Sequence, residues 1–280
     1  MVEAKLVAEL RRRTGLPMMK CKEALVASEG DLERAEIWLR KHGLKTVQKV
    51  EGLVFLHDDG ARAAAVAVLC ETDFVANSES FKGFGEALLE SVAGGAGGES
   101  GGGEALEEVS LPGGGTAGAA LEALIGKTRE NVGLGGYARF TKDSGLVSHY
   151  LHFNGKVAAL VRFEGEGLAG SDAAQALGRD LAMHIAFHRE TQALDRDGLD
   201  AAWVASEKEI FLAQVQDMPE ARREAIARGK LEKRLKEVTL LDQPFVKNEK
   251  RTVREQVEAV SKEIGTPIAV QGFARISAKD

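Results

Sequence analysis

The run from Ala61 to Cys70, ARAAAVAVLC, is almost entirely apolar and includes two valines and a leucine. A run of that kind reads as a buried strand. Ser78 then stands where it can cap a helix whose apolar face is Phe81, Phe84, Leu88 and Leu89. Thr72 to Asn77 must therefore turn the chain from strand to helix. That corner sets an acid, Asp73, beside an aromatic, Phe74. Two readings of Phe74 stay open. A loop phenylalanine is usually tucked under its own loop. The alternative is a wedge held outward, with the acid beside it competing for a cation or a hydrogen-bond donor.

The other strands announce themselves through turn pairs. Gly52 to His57 and Ala61 to Cys70 flank Asp58-Asp59-Gly60, and Gly145 to Phe153 and Lys156 to Phe163 flank Asn154-Gly155. Asp-Gly and Asn-Gly are favoured hairpin turns. Ahead of the first hairpin, Val2, Leu6, Val7 and Leu10 share one helical face. Thr14-Gly15 ends that helix, Pro17 suits the start of a second with Ala24 and Leu25 inward, and Asp31 caps a third with Leu32, Ala35, Trp38 and Leu39. A three-helix unit over 1–44 has little core of its own and suits partner binding better than catalysis. Met18 and Met19 are adjacent, so they cannot share a helix face, and at least one is expected at the surface.

Residues 45–51 read as a linker and 52–143 as a first core subdomain, with a glycine-rich tract at 94–118 expected to be a flexible loop. Residues 144–199 and 237–280 form a second subdomain that repeats the plan of strands, helix and strand. Ser171 can cap its helix, which carries Ala174, Leu177, Leu181, Ile185 and His188. Thr252 to Gly265 reads as a further helix and Ile268 to Ile276 as the last strand. Between the two parts, 200–236 reads as an inserted antiparallel helical hairpin turning at Asp217-Met218, with Trp203, Ile210, Leu231 and Leu235 along its seam. The fold class is α+β.

With 280 residues and 44% hydrophobic content, two or three packed units are affordable. A net charge of −6 argues against nonspecific nucleic-acid binding, which needs a concentrated basic surface. Cys21 and Cys70 are the only cysteines, which fits a reducing cytoplasm. The start, Met1-Val2-Glu3-Ala4-Lys5, is too charged for a secretory leader. No apolar run approaches the ~20 residues that cross a bilayer, so no membrane association is expected.

Motifs with catalytic connotations weigh little. Gly126-Lys127-Thr128 imitates the end of a phosphate loop, but Leu121 stands where that motif needs its first glycine. His184 and His188 share a helix face in a spacing compatible with zinc, yet Ile185 replaces the glutamate of the hydrolytic motif and no third ligand is evident. His149 and His152 point to opposite faces of a strand. The carboxylates lie mostly on helical faces, where solvated charge is the default. No cofactor, metal or covalent chemistry is expected.

Three segments carry a resemblance. Thr72-Asp73-Phe74-Val75-Ala76, the stretch Arg12-Arg13-Thr14-Gly15-Leu16-Pro17-Met18-Met19-Lys20-Cys21-Lys22-Glu23-Ala24-Leu25, and Gln243-Pro244-Phe245-Val246 resemble, in order, motifs of bacterial elongation factor Ts. The resemblance implies a ubiquitin-associated-like amino-terminal domain and two related core subdomains with the hairpin inserted in the second. It implies a guanine nucleotide exchange factor of the cytoplasm that binds elongation factor Tu and promotes release of GDP and magnesium. Thr72, Asp73, Phe74, Val75, Met18, Met19 and His152 are the contact residues it suggests, the last through Tyr150-x-His152. It also aligns Lys127, Glu130 and Asn131 with a segment entering the third strand, after which the family often has a basic pair where this chain has Gly135-Gly136. A homodimer and a heterotetramer with the partner stay open. A non-exchanging scaffold, built on the three-helix unit and the hairpin, is the alternative.

Overall fold

A computed structural model describes residues 4–14, 16–42, 51–60, 62–142, 145–216 and 219–279. Val2, Gly15, the linker residues 45–50 and the Asp217-Met218 connection lie outside them. The chain opens with α1 (Ala4–Thr14), α2 (Met18–Ala27) and α3 (Leu32–Lys41). Asp31 starts α3 by accepting the Arg34 N–H at 2.8 Å. Leu10, Cys21, Ala24, Leu25, Ala35 and Leu39 fill the space between the three helices.

The hairpin β1 (Glu51–Asp58) and β2 (Arg62–Cys70) follows; Glu51, read as linker, is already the first strand residue. Gly60 takes φ +84° in the turn, where an L side chain is strained. The chain continues through α4 (Asp73–Ala76), α5 (Glu79–Ala93), the two-residue β3 (Ser100–Gly101), α6 (Ala117–Thr128) and β4 (Gly133–Thr141). These strands form an antiparallel sheet in the order β1-β2-β4-β3. The same device is then used again. The hairpin β5 (Leu146–Leu151) and β6 (Val157–Glu164) is followed by α7 (Asp172–Phe187), α8 (Ala201–Gln214), α9 (Glu220–Val238), β7 (Pro244–Phe245), β8 (Asn248–Thr252), α10 (Val253–Ile264) and β9 (Ala269–Ser277). β9 returns antiparallel to β6, giving the order β5-β6-β9, and β7 pairs with β8. The fold is α+β.

The two sheets pack face to face. β2 shows why its sequence does not alternate: Ala63 to Val68 are all fully buried. Ala64, Val66 and Val68 meet Phe81 and Leu88 of α5. Ala63, Ala65 and Ala67 meet Ala158, Leu160 and Ile276 of the second sheet. On the outer face of that sheet, Leu181 and Ile185 of α7 pack with Val253 and Val257 of α10. The layers run helix, sheet, sheet, helix.

Two expectations are corrected. The glycine-rich tract is not a plain loop, because β3 pairs with β4 and the tract lies against the Tyr137 ring. A Cβ on Gly97 or Gly101 would sit within 3 Å of that ring, and the Gly98 N–H donates to its hydroxyl at 2.9 Å. Glycine is there to let backbone touch an aromatic face. The hairpin seam is also narrower than expected. Leu235 is buried and Trp203 and Leu231 are half-buried, but Ile210 is exposed. α8 carries apolar residues around most of its circumference, and one facing helix covers only one side.

His184 ties α7 to the base of the hairpin. It is fully buried; Nε2 lies 2.8 Å from Gln243 Oε1, and Nδ1 accepts the Val246 N–H at 3.2 Å. Both ring nitrogens are therefore committed inside the protein, which leaves neither for a metal. Burial pushes its pKa down from 6.5 to about 4, with the neighbouring His188 adding to the depression against the opposing Gln243 bond. The unfolded chain takes up this proton first as pH falls. Its contribution to stability is therefore complete above about pH 6.5 and is lost on acidification toward pH 4. Urea unfolding of wild type is expected to lose roughly 2–3 kcal/mol more than His184→Gln between pH 7 and 4.5. Equal losses would show that the site accommodates the proton. The hairpin is expected to be dispensable for the sandwich, since α8 buries no residue. Replacing 200–231 by a short Gly-Ser link should keep the thermal midpoint within about 5 °C. Loss of the cooperative transition by circular dichroism would make the hairpin part of the core.

Candidate functional site

The corner after β2 is held from both sides. Cys70 ends the strand opposite Glu51, and its thiol donates to the Thr72 carbonyl at 3.2 Å. Burial, reinforced by the charge of Glu130, pushes the Cys70 pKa up to about 11, so the donor proton stays in place. The Thr72 hydroxyl and N–H both donate to Glu130, at 2.6 and 3.1 Å. In return the Asn131 N–H donates to Glu71 at 2.8 Å. Two acids thus cross-brace the corner to the segment that enters β4.

Thr72 also caps α4, its hydroxyl accepting the Val75 N–H at 3.4 Å. The Asn77 side chain closes the other end by donating to the Asp73 carbonyl at 2.9 Å. Ser78 then donates to the Val75 carbonyl at 2.8 Å and accepts the Phe81 N–H at 3.3 Å, so α5 starts without slack. Within the single turn of α4 the side chains divide. Ala76 is buried and Val75 packs on the first core, whereas Asp73 and Phe74 face outward. Phe74 is 84% exposed. Of the two readings of this residue, the structure has the outward one. Asp73 makes no ion pair or side-chain hydrogen bond among the described residues.

His152 lies at the same end of the sandwich. Its turn closes through the Gly155 N–H to the His152 carbonyl and through the Val54 N–H to the Gly155 carbonyl, at 2.8 and 2.7 Å. Lys156 forms an ion pair with Glu51, the strand partner of Cys70. The His152 Nδ1 is 2.9 Å from the Tyr150 hydroxyl. Met18 and Met19 are both exposed on α2, on the three-helix unit rather than on the sandwich. Met19, Val26 and Ala27 line an open apolar hollow edged by Lys22 and Glu23.

The remaining motifs fall into place physically. Lys127-Thr128 ends α6, where a helix presents carbonyls rather than the N–H groups a phosphate needs. Gly135 sits where a Cβ would come within 2.7 Å of Ala67, beside the bulge between Val66 and Val68. The bracing by Glu71 and Glu130 was not foreseen from the residues themselves, because each acid acts on a residue some sixty positions away. Among the described residues no group of three or more His, Cys, Asp or Glu is placed to hold a metal, and no helix is long and apolar enough to cross a membrane.

Comparison with known proteins points one way. Residues 71–278 match the family model described as Elongation factor TS. A protein of Clostridium novyi called Elongation factor Ts is 37% identical over 98% of this chain and 92% of its own length. One of Desulfovibrio desulfuricans with the same name is 37% identical over 98% of this chain and 97% of its own. A third, from Methylobacterium radiotolerans, is 37% identical over the whole of this chain and 92% of its own. On that match over most of its length, the chain belongs to the elongation factor Ts family, whose members serve translation elongation.

Proposed function

We propose that this protein is a guanine nucleotide exchange factor of the cytoplasm that binds elongation factor Tu, loosens its GDP and magnesium, and stabilises the empty partner. The observation that carries this reading is the exposed Phe74 on a corner braced by Glu71 and Glu130. A ring held outward by half-buried supports loses little freedom on docking, so more of its burial energy reaches the partner. Asp73 sets an unpaired negative charge beside it, able to compete for the donors and cation around a phosphate group. The chain does no covalent chemistry in this scheme. Met18 and Met19 add affinity through flexible, polarisable contacts.

Binding of this protein and of GDP to the partner weaken one another by the same factor. A thousandfold weakening requires about 4 kcal/mol. Burying one phenylalanine side chain supplies roughly 1.5–3 kcal/mol. Phe74 is thus one part of a broader interface.

Release of labelled GDP from purified elongation factor Tu tests the reading. Wild type should accelerate it, and Phe74→Ala should slow the stimulated rate while changing unfolding free energy by less than about 0.5 kcal/mol. A loss of roughly 3–5 kcal/mol would mean that the ring is buried in solution. Truncating both Met18 and Met19 to Ala should raise the concentration for half-maximal release more than it lowers the limiting rate. Binding by wild type without acceleration of release would favour the scaffold instead.

A further inference from the structure

Arg129 stands at φ +61° and ψ +15°, the left-handed region. Glu29 is the only other described residue with a positive φ that is not glycine. A long side chain seldom adopts that region, and the conformation persists only where its surroundings over-determine it. Several bonds do so here. The Arg129 N–H donates to the Ile125 carbonyl at 2.9 Å and closes α6. The Thr128 hydroxyl donates to the Leu124 carbonyl at 2.9 Å and accepts the Glu130 N–H at 3.4 Å. Val132, 2% exposed, then seats the chain in the first core. Between the strained residue and that seat lie only Glu130 and Asn131, the residues bonded to Thr72 and Glu71. The turn after α6 therefore serves to aim one carboxylate at Thr72 and one N–H at Glu71.

We propose that Glu130 is a positioning residue for nucleotide exchange: without touching the partner, it sets the limiting rate of GDP release by fixing Thr72 at the head of α4. The proposal rests on the exchange reading above. Thr72 is the relay. Its hydroxyl carries one proton, which goes to Glu130, and the same oxygen accepts the Val75 N–H that starts the turn. Glu130 thus selects the Thr72 rotamer that caps α4. Both carboxylate oxygens accept, one from the hydroxyl and one from the N–H. An amide in its place would turn its NH2 toward one of those donors. α4 has four residues, and so short a helix does not hold itself. Val75 and Ala76 are anchored in the first core, but Asp73 and Phe74 are exposed and have no packing of their own to direct them. Released from Glu130, the corner keeps its apolar footing and loses its direction. The ordering is then done at docking, which takes energy from the step that displaces GDP. Met18 and Met19, on α2, do not depend on this link, so affinity should survive better than rate.

The test uses full-length variants, assayed for GDP release from elongation factor Tu over a range of factor concentrations. Glu130→Gln and Thr72→Val should each lower the limiting rate about tenfold, the loss of one charge-assisted hydrogen bond. The half-maximal concentration should change less than about threefold, and the thermal midpoint should fall by less than about 8 °C. Thr72→Ser keeps the donor and the cap and should retain about half the wild-type rate or more. Arg129→Gly keeps the left-handed turn without a side chain and should stay within about twofold of wild type. The double variant Glu130→Gln with Thr72→Val should be no slower than either single one, because both break the same link. A wild-type rate for Glu130→Gln would overturn the proposal. So would a half-maximal concentration that rises as much as the rate falls, which would put Glu130 in the contact surface, or a slow Arg129→Gly, which would give the role to the arginine side chain. If Glu130→Gln does not fold, the Thr72 pair decides, and equal rates for Val and Ser there would overturn it. A wild type that binds without accelerating release removes the exchange reading and this proposal with it, whereas an active wild type beside an equally active Glu130→Gln removes the proposal alone.

Discussion

Everything in the sandwich depends on β2 being buried on both faces. Its alternate residues Ala63, Ala65 and Ala67 are small enough for the second sheet to approach, and Ala64, Val66 and Val68 receive α5. A central strand covered on both sides must give up the alternation of a half-exposed one, and the run ARAAAVAVLC has done so. Larger side chains facing the second sheet would force the layers apart, and overpacking of that kind costs about 1–3 kcal/mol. The same strand delivers the chain to the corner. Its fixed position between two layers fixes where Thr72 begins and where α5 must start.

The corner turns that rigidity into exposure. The polar groups of Thr72 itself are all held, the hydroxyl and N–H on Glu130 and the carbonyl on the Cys70 thiol, and Glu71 accepts the Asn131 N–H. Val75 and Ala76 anchor the turn in the first core. What remains is one acid and one aromatic with nowhere to go but outward. Exposing a phenylalanine forgoes roughly 1.5–3 kcal/mol of burial. Surrounding bonds over-determine the turn, so it keeps its shape without that contribution. This is the arrangement expected where binding rather than folding selects a side chain.

The second sheet repeats the first in plan but not in use. Both begin with a hairpin and both receive a third strand beside the second. In the first, the excursion between strands two and three holds the corner, α5 and the glycine tract folded onto Tyr137. In the second it holds α7 and the long hairpin, whose root is fastened by backbone bonds from Gln192 to Val238 and from Leu240 to Ala193, at 2.8 and 2.9 Å. His184 and Gln243 fill the space behind that root, and their mutual bond makes a buried polar pair acceptable.

Local chemistry was legible in the residues. Ser78 and Ser171 cap α5 and α7, Asp31 caps α3, and the turn pairs at Gly60 and Gly155 join the strands they were expected to join. Those features depend on groups within about four residues of one another, and sequence spacing states such distances directly. Whether Phe74 is buried, which acids brace Thr72, why the glycine tract lies flat, and why Ile210 stands outside its seam depend on surfaces supplied from far along the chain. Glu130 is 58 residues from Thr72, and Glu71 is 60 from Asn131. Sequence by itself determined the pieces and their caps, and the tertiary structure decided which side chains those pieces could not cover.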